Sequence, residues 1–561
     1  METLTFPVPG LRGWALVGAL LAAFALAIAA AGEGWKWVVV AALAFGFLLE
    51  LVAARLAPRA VELMRESGLT MPVRLAIASI PLVVLAATCL STALTVGAAV
   101  VAVVVVVSSA ALERLQLWVV RVRRVPLRAR RLDLGGFRLP PKAPRFAMSP
   151  MGTDAVYPLL ASVGLAVSAQ LGGRLAASVG LVVAGIAAAV APGWLGVLLA
   201  RDLRSGLRER AVAATSAAVE KLRPEVVLYF SGVVEELYQL RMWFAPVAKL
   251  NRRTLVVVRS DLAMDQLDRV PFPVVSSPYN GMIDALPLPP RVVTLFATHS
   301  GNNLSMVRRR ETYCVFVGHG DSDKPDSSNP YARLYDEVWV AGPLGRRRYA
   351  EAGVGIRDEA IHEVGRPQFV PPDEPPPSPP VIVYAPTWEG WGGDDHHSSL
   401  AHAGLALVER LLATAGIRVQ YRPHPLTGVR DPVVRRINRQ IIERVGRVGE
   451  GERIETTFAR ASALVTDVSS TISEYLPFDR PYALIDTRPL GRRAYTRRFP
   501  SSAGGFLLGP DLAGLDRFVA AAQGGSDPSA RARRALIADA LGDPATSQER
   551  FAAAVDRALS A

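Results

Sequence analysis

The chain reads Val315-Phe-Val-Gly-His-Gly-Asp-Ser-Asp-Lys324, an apolar strand running directly into a histidine, a glycine and then a lysine. A histidine near neutral pKa is the usual base for activating a hydroxyl, and a lysine five positions on can hold a phosphate in the same loop. His319 is one of seven histidines, and all seven lie after residue 298. Three more polar segments follow apolar runs: Tyr384-Ala-Pro-Thr-Trp388 with Glu389 after it, Tyr421-Arg-Pro-His-Pro425, and Thr466-Asp-Val-Ser-Ser-Thr471 leading into Ile472-Ser-Glu-Tyr475. His424, between two prolines, has a rigid backbone and could stabilise phosphoryl charge. Ser469, Ser470 and Thr471 open a predicted helix, where amides and hydroxyls can bind an anion or simply cap the helix. Glu474, a turn later, can accept from ribose hydroxyls or face water. Asp321 and Asp323 either tune His319 or are solvated, and His299 in Ala297-Thr-His-Ser is a further strand-end candidate. The pair His396-His397 can bind metal, with only Asp394-Asp395 beside it, or is a loop or surface pair, and the chain has no CxxC or HExxH spacing.

These segments need strand ends to stand on. Short apolar runs predict strands at Val226–Phe230, Leu255–Val258, Val292–Ala297, Tyr313–Val317 and Glu337–Val340, with helical spacing between them. From Pro367 to Pro380 eight of fourteen residues are proline, which reads as a spacer. The alternation then restarts, with strands at Val381–Tyr384, Arg418–Tyr421 and Ala463–Thr466. Such βα alternation implies parallel sheets whose ligands bind at the strands' carboxyl ends. The expected organisation is a membrane domain over 1–205, an acceptor-side α/β domain over 206–366, a linker over 367–380, and a nucleotide-side α/β domain with terminal helices over 381–561.

The first part of the chain has no histidine and a high apolar content. Six stretches are expected to span a bilayer, near 13–31, 36–56, 74–91, 93–112, 156–172 and 175–200. Ten Lys or Arg residues lie between Arg114 and Arg145, and Arg55, Arg59, Arg65, Arg74 and Arg201 flank other spans on the same side. This bias predicts a multi-pass membrane protein whose N-terminus and everything after 201 are cytoplasmic. Glu50, well inside a span, is read as snorkelling or paired with arginine rather than as part of an ion path. The segment 114–145 is expected either to lie on the membrane interface or to be a solvated basic loop. The net charge of +13 is concentrated at these flanks, so nucleic acid is not an expected partner. Two cysteines, Cys89 and Cys314, exclude a disulfide framework.

In their order, His319–Lys324, Tyr384–Trp388, Arg422–His424 and Asp467–Tyr475 resemble the motifs of the CDP-glycerol glycerophosphotransferase family, the teichoic acid primases and polymerases. The resemblance covers about 225–510. It implies a GT-B fold, a pair of Rossmann-like domains. It implies His319 as base and His424 as its catalytic counterpart, with Lys324, Arg422, Ser469, Ser470 and Thr471 on the donor phosphates. Thr387, Trp388, Asp467 and Glu474 would then lie at the nucleotide, and Asp321, Asp323 and His299 on the acceptor side. The implied reaction moves glycerol phosphate, or a related polyol phosphate, from a CDP-activated donor to a hydroxyl of a lipid-linked cell-wall polymer in a bacterial membrane, releasing CMP. The resemblance fixes no cofactor; Mg2+ accompanying the nucleotide donor is compatible with it. Two other readings share these features: a GT-B glycosyltransferase using a nucleotide sugar, and a non-catalytic membrane protein that binds a nucleotide or polymer. The chain departs from the family at Asp321-Ser322-Asp323, at Gly318 and at Glu389, and in having its own spans.

Overall fold

Apolar length decides the architecture of the first part. In the computed structural model, which describes residues 11–148, 156–267, 269–324, 327–369, 375, 377–390, 398–449, 452 and 454–560, the chain divides into two units. Residues 1–125 and 137–211 form one, and residues 126–136 and 212–561 form the other. The first unit is helical: α1 (Leu11–Gly32), α2 (Lys36–Leu56), α3 (Pro58–Glu66), α4 (Met71–Cys89), α5 (Thr92–Arg123), α6 (Arg145–Met148), α7 (Tyr157–Leu171) and α8 (Leu175–Arg204). Among the described residues, α1, α2, α4, α5 and α8 are long and apolar enough to cross a membrane. The expected sixth span, α7, has 15 residues. At 1.5 Å per residue it reaches roughly 22 Å, short of a hydrocarbon core of about 30 Å.

Small residues let α7 and α8 touch. A Cβ on Gly164 would stand 2.9 Å from the Cα of Gly180, and one on Gly180 would stand equally close to Gly164. Glu50 is buried and accepts from Arg74 Nε at 2.6 Å, so it is a paired charge. Arg123 and Asp202 form a second pair, between α5 and α8, at 2.5 Å. Val96, Val100, Val103, Val107, Val182 and Ile186 are exposed, leaving an apolar outer surface on α5 and α8 that suits lipid.

The second unit holds two sheets. Strands β1 (Arg128–Arg130), β2 (Val226–Phe230), β3 (Thr254–Val258), β4 (Val274–Ser276), β5 (Val292–Phe296), β6 (Thr312–Phe316), β7 (Glu337–Val340) and β8 (Ile361–Glu363) form the first, ordered β1-β4-β3-β2-β5-β6-β7-β8. All pairings are parallel except β1 with β4. Strands β9 (Val381–Ala385), β10 (Arg418–Tyr421), β11 (Ala463–Thr466), β12 (Tyr482–Ile485) and β13 (Phe506–Leu508) form the second, wholly parallel and ordered β10-β9-β11-β12-β13. The β-branched runs at β2, β3 and β5 are buried throughout, as parallel strands covered on both faces must be.

Three expectations change here. The basic segment 114–145 is neither an interfacial helix nor a solvated loop over its whole length. Residues 114–123 end α5, and 128–130 are an edge strand held by Arg130 on the carbonyls of Met264 and Leu267. The Pro-rich stretch begins in the core, because Phe369 is 1% exposed and packs with Trp243 and Phe551; residues 370–374 and 376 lie outside the described residues. The terminal helices divide between the two sheets' cores, Leu536 and Ala540 packing with the second sheet and Phe551, Val555 and Ala558 with the first.

Candidate active site

The ends of β5, β6, β9, β10 and β11 carry the polar segments, and their carboxyl ends converge. The loop after β6 approaches the start of the helix Ser470–Tyr475 very closely: a Cβ on Gly320 would lie 2.4 Å from Ser470 Cβ. Only glycine permits that approach, which explains the His-Gly dipeptide. Ser473 Oγ donates to the Asp321 carbonyl at 2.6 Å, and Lys324 Nζ donates to Thr387 Oγ1 at 3.0 Å. His319, Lys324, Thr387 and Ser470 are thus brought together.

The two histidines face one aromatic ring. Tyr238, on the short helix Leu237–Arg241, lies edge-on to His319 at 6.2 Å and to His424 at 6.3 Å. His424 stacks on Trp388 at 5.8 Å. Their hydrogen bonds assign opposite tautomers. His319 Nδ1 stands 3.2 Å from the Ala297 carbonyl, which can only accept, so Nδ1 carries the proton and Nε2 keeps a lone pair. His424 Nδ1 accepts from the Leu426 N–H at 3.1 Å, so its proton sits on Nε2. Both rings are held neutral. Desolvation lowers His319 to about 4, with the Arg366 charge adding to it against the Ala297 hydrogen bond. Desolvation likewise lowers His424 to about 3, helped by the Lys324 and His319 charges.

The carboxylates are placed differently from expectation. Asp321 and Asp323 both ion-pair with Arg348, and Asp323 also accepts from the backbone N–H of Ser501 at 2.8 Å. The Asp323 side chain is 2% exposed. These two residues, expected to tune His319 or face solvent on the acceptor side, fasten the loop to the helix Pro343–Glu351 and to the second sheet's side. Asp467 accepts from the backbone N–H of Thr387 at 2.9 Å and of Ser399 at 3.1 Å, so it shapes the loop after β9. Burial raises it to about 6 despite those bonds. Glu389 accepts from the amides of Gly428 and Arg430, both at 3.0 Å, and braces the loop after His424.

Glu474 is buried and raised to about 7 by desolvation, against the opposing charge of Arg366 and a hydrogen bond from Ser470. Arg422 is turned toward Thr457 Oγ1 at 2.6 Å and the Glu452 carbonyl at 2.9 Å. It packs so closely on Gly449 that a Cβ there would strike its guanidinium. Ser469 precedes the helix without capping it through its side chain, and Thr471 is half-buried. His299 stacks on Phe316 at 3.8 Å, and both its ring nitrogens are buried without a hydrogen-bond partner among the described residues. His396 and His397 lie outside the described residues. Among those described, no three His, Cys, Asp or Glu side chains are grouped to hold a metal.

Sequence reasoning missed Tyr238, Trp243 and Arg366. Trp243 Nε1 donates to the Gly318 carbonyl at 2.8 Å, and Arg366 Nη2 to the His319 carbonyl at 3.0 Å. The one available signal was Gly365-Arg366-Pro367 directly after a strand.

Two parallel sheets with their polar loops at the carboxyl ends make the second unit an α/β protein of the strand-end ligand type. Residues 371–486 match the CDP-Glycerol:Poly(glycerophosphate) glycerophosphotransferase family, so this stretch of the second unit is similar to that family. Three of the four motif segments fall inside that match and the His319 loop falls outside. No curated protein sequence matches the chain. Among solved structures, the wall teichoic acid polymerase TagF is similar at 12% identity and TM-score 0.41, over 63% of this chain and 94% of that one. A Staphylococcus aureus MnaA–UDP structure is similar at 12% identity and TM-score 0.41, over 60% and 96%. A putative UDP-N-acetylglucosamine 2-epimerase from Listeria monocytogenes is similar at 12% identity and TM-score 0.40, over 59% and 95%. Likenesses at this level assign neither chemistry nor substrate.

Proposed function

We propose that this is a multi-pass membrane transferase of a bacterial cell envelope. It moves glycerol phosphate, or a related polyol phosphate, from a CDP-activated donor to a hydroxyl of a lipid-linked acceptor on the cytoplasmic face. The observation that carries this reading is the pair of opposite tautomers across Tyr238. His319 Nε2, with its free lone pair, takes the proton of the acceptor hydroxyl. The oxygen attacks the donor's distal phosphorus, the bond from that phosphorus to the bridging oxygen breaks, and CMP leaves with the electron pair. Lys324 and His424 Nε2–H then face the charge spread over the phosphoryl oxygens. Positioning and electrostatics supply most of the rate in such a transfer. The Ser469–Thr471 turn stands by the donor phosphates, with Glu474 toward the ribose. Arg422, bound to Thr457, supports the site from behind.

Full-length protein in detergent, supplied with CDP-glycerol and a lipid extract, is expected to release CMP, and His319→Ala is expected to reduce release at least a hundredfold. Equal release by His319→Ala would overturn the mechanism. Turnover of UDP-sugars in place of CDP-alcohols would overturn the substrate.

A further inference from the structure

Arg366 ends the first sheet's side of the unit and is 5% exposed. A buried guanidinium costs several kcal/mol unless the surroundings compensate it. Its compensation here is specific. Nη2 donates to the carbonyl of His319 at 3.0 Å, the guanidinium lies 5.5 Å over the Phe369 ring, and Nε is buried without a hydrogen-bond partner among the described residues. The carboxylates that face it are Glu474 and Glu455 from the second sheet's side and Asp321 from the His319 loop. Asp321 Oδ2 is likewise buried without a hydrogen-bond partner. Gly365, at φ +77°, lets the chain turn here against Ser547 of the terminal helix, where a Cβ would stand 2.3 Å from the hydroxyl.

Resting on the reading of His319 as base, we infer that Arg366 is its positioning residue: it fixes the His319 backbone through the carbonyl it donates to, with Glu474 of the donor side as its counter-charge. Burial already disfavours the imidazolium, and a cation beside the ring adds to that. The counter-charge comes from the opposite sheet. A donor whose ribose engages Glu474 therefore acts on the same guanidinium that holds the base, and the base is set when the donor is present. The other titratable groups near His319 are Tyr238, edge-on to its ring, His299 on the neighbouring loop, Lys324 on its own loop and His424 across the cleft. None of these touches its backbone carbonyl.

The test is the pH profile of CMP release from CDP-glycerol by full-length protein in detergent. Arg366→Met is expected to lower kcat at least tenfold and to move the acid limb of kcat/KM upward by on the order of one pH unit. Arg366→Lys, which keeps the charge, is expected to leave the limb in place. Arg366→Gln can still donate to the carbonyl without charge; it is expected to move the limb with a smaller loss of kcat, and it carries the test if the Met variant does not fold. Loss of rate in the neutral variants with an unmoved limb would overturn the inference while leaving His319 as base. Full CMP release by His319→Ala would instead remove the reading on which it rests.

Discussion

Neutral imidazoles in opposite tautomers give a pH dependence of definite sign. His319 must lose no proton before it can act, and its pKa is lowered to about 4. Protonation switches the base off, so activity limited by His319 is expected to hold from pH 8 to 6 and to fall only as pH approaches 4. A limb centred on 6.5 in the kcat/KM profile would mean a solvated ring. The same shift acts on stability. The unfolded chain binds protons at these histidines below about 6.5, whereas the folded protein binds them only below about 4 and about 3. Their contribution is therefore intact above 6.5 and is lost as pH falls toward 4. His424→Phe keeps an aromatic ring for the Trp388 stack and removes the Nε2 donor. It is expected to cost about a hundredfold in kcat with a small change in melting temperature. His319, His424 and Lys324 were legible because their residue types are scarce and follow strands. Tyr238 was not: it is one of thirteen tyrosines, and only the fold turns it toward both rings.

The loop after β6 and the helix starting at Ser470 work as one part. Gly320→Ala would insert a methyl 2.4 Å from Ser470 Cβ. It is expected to displace His319 and lower CMP release by about a hundredfold, with far less effect on the melting temperature. Arg348→Met would leave Asp321 and Asp323 without their counter-ion, Asp323 keeping only its bonds from Ser501. Breaking such a pair costs about 3–5 kcal/mol, which denaturant unfolding of the second unit would register. That outcome would also account for the acidic departure from the family motif: Asp321 and Asp323 answer an arginine 25 and more residues away in sequence, a pairing that no local pattern announces. Strands β2, β3, β5, β6, β7, β9, β10 and β11 were legible from short apolar runs rich in β-branched and aromatic residues. β1, β4 and β8 have three residues each and lie among arginines, prolines and polar residues, so periodicity had nothing to act on.

At the scale of the molecule, the second unit is discontinuous in sequence. It takes residues 126–136 from between two apolar helices, and β1 covers the edge of β4 in an antiparallel pairing from Arg128↔Ser276 to Arg130↔Val274. A fragment beginning at residue 206 would bare that edge, and exposed edges recruit other chains. Such a fragment is expected to elute as aggregate in size exclusion, and joining residues 126–136 to its N-terminus is expected to restore a smaller species. The division into an apolar first part and an α/β second part could be read from composition, but this exchange could not, because the segment's arginines already had an explanation in membrane topology.

The placement of β1 also orders events during synthesis. Its three residues are made about 140 residues ahead of β4. At 5–20 residues per second, the ribosome delivers the partner strand roughly 7–30 s later. Through that interval α7 and α8 are produced while β1 waits unpaired, with Arg128, Arg130 and Arg131 keeping it soluble. The edge of the first sheet is thus covered by its oldest strand, which waits for the third strand made after it.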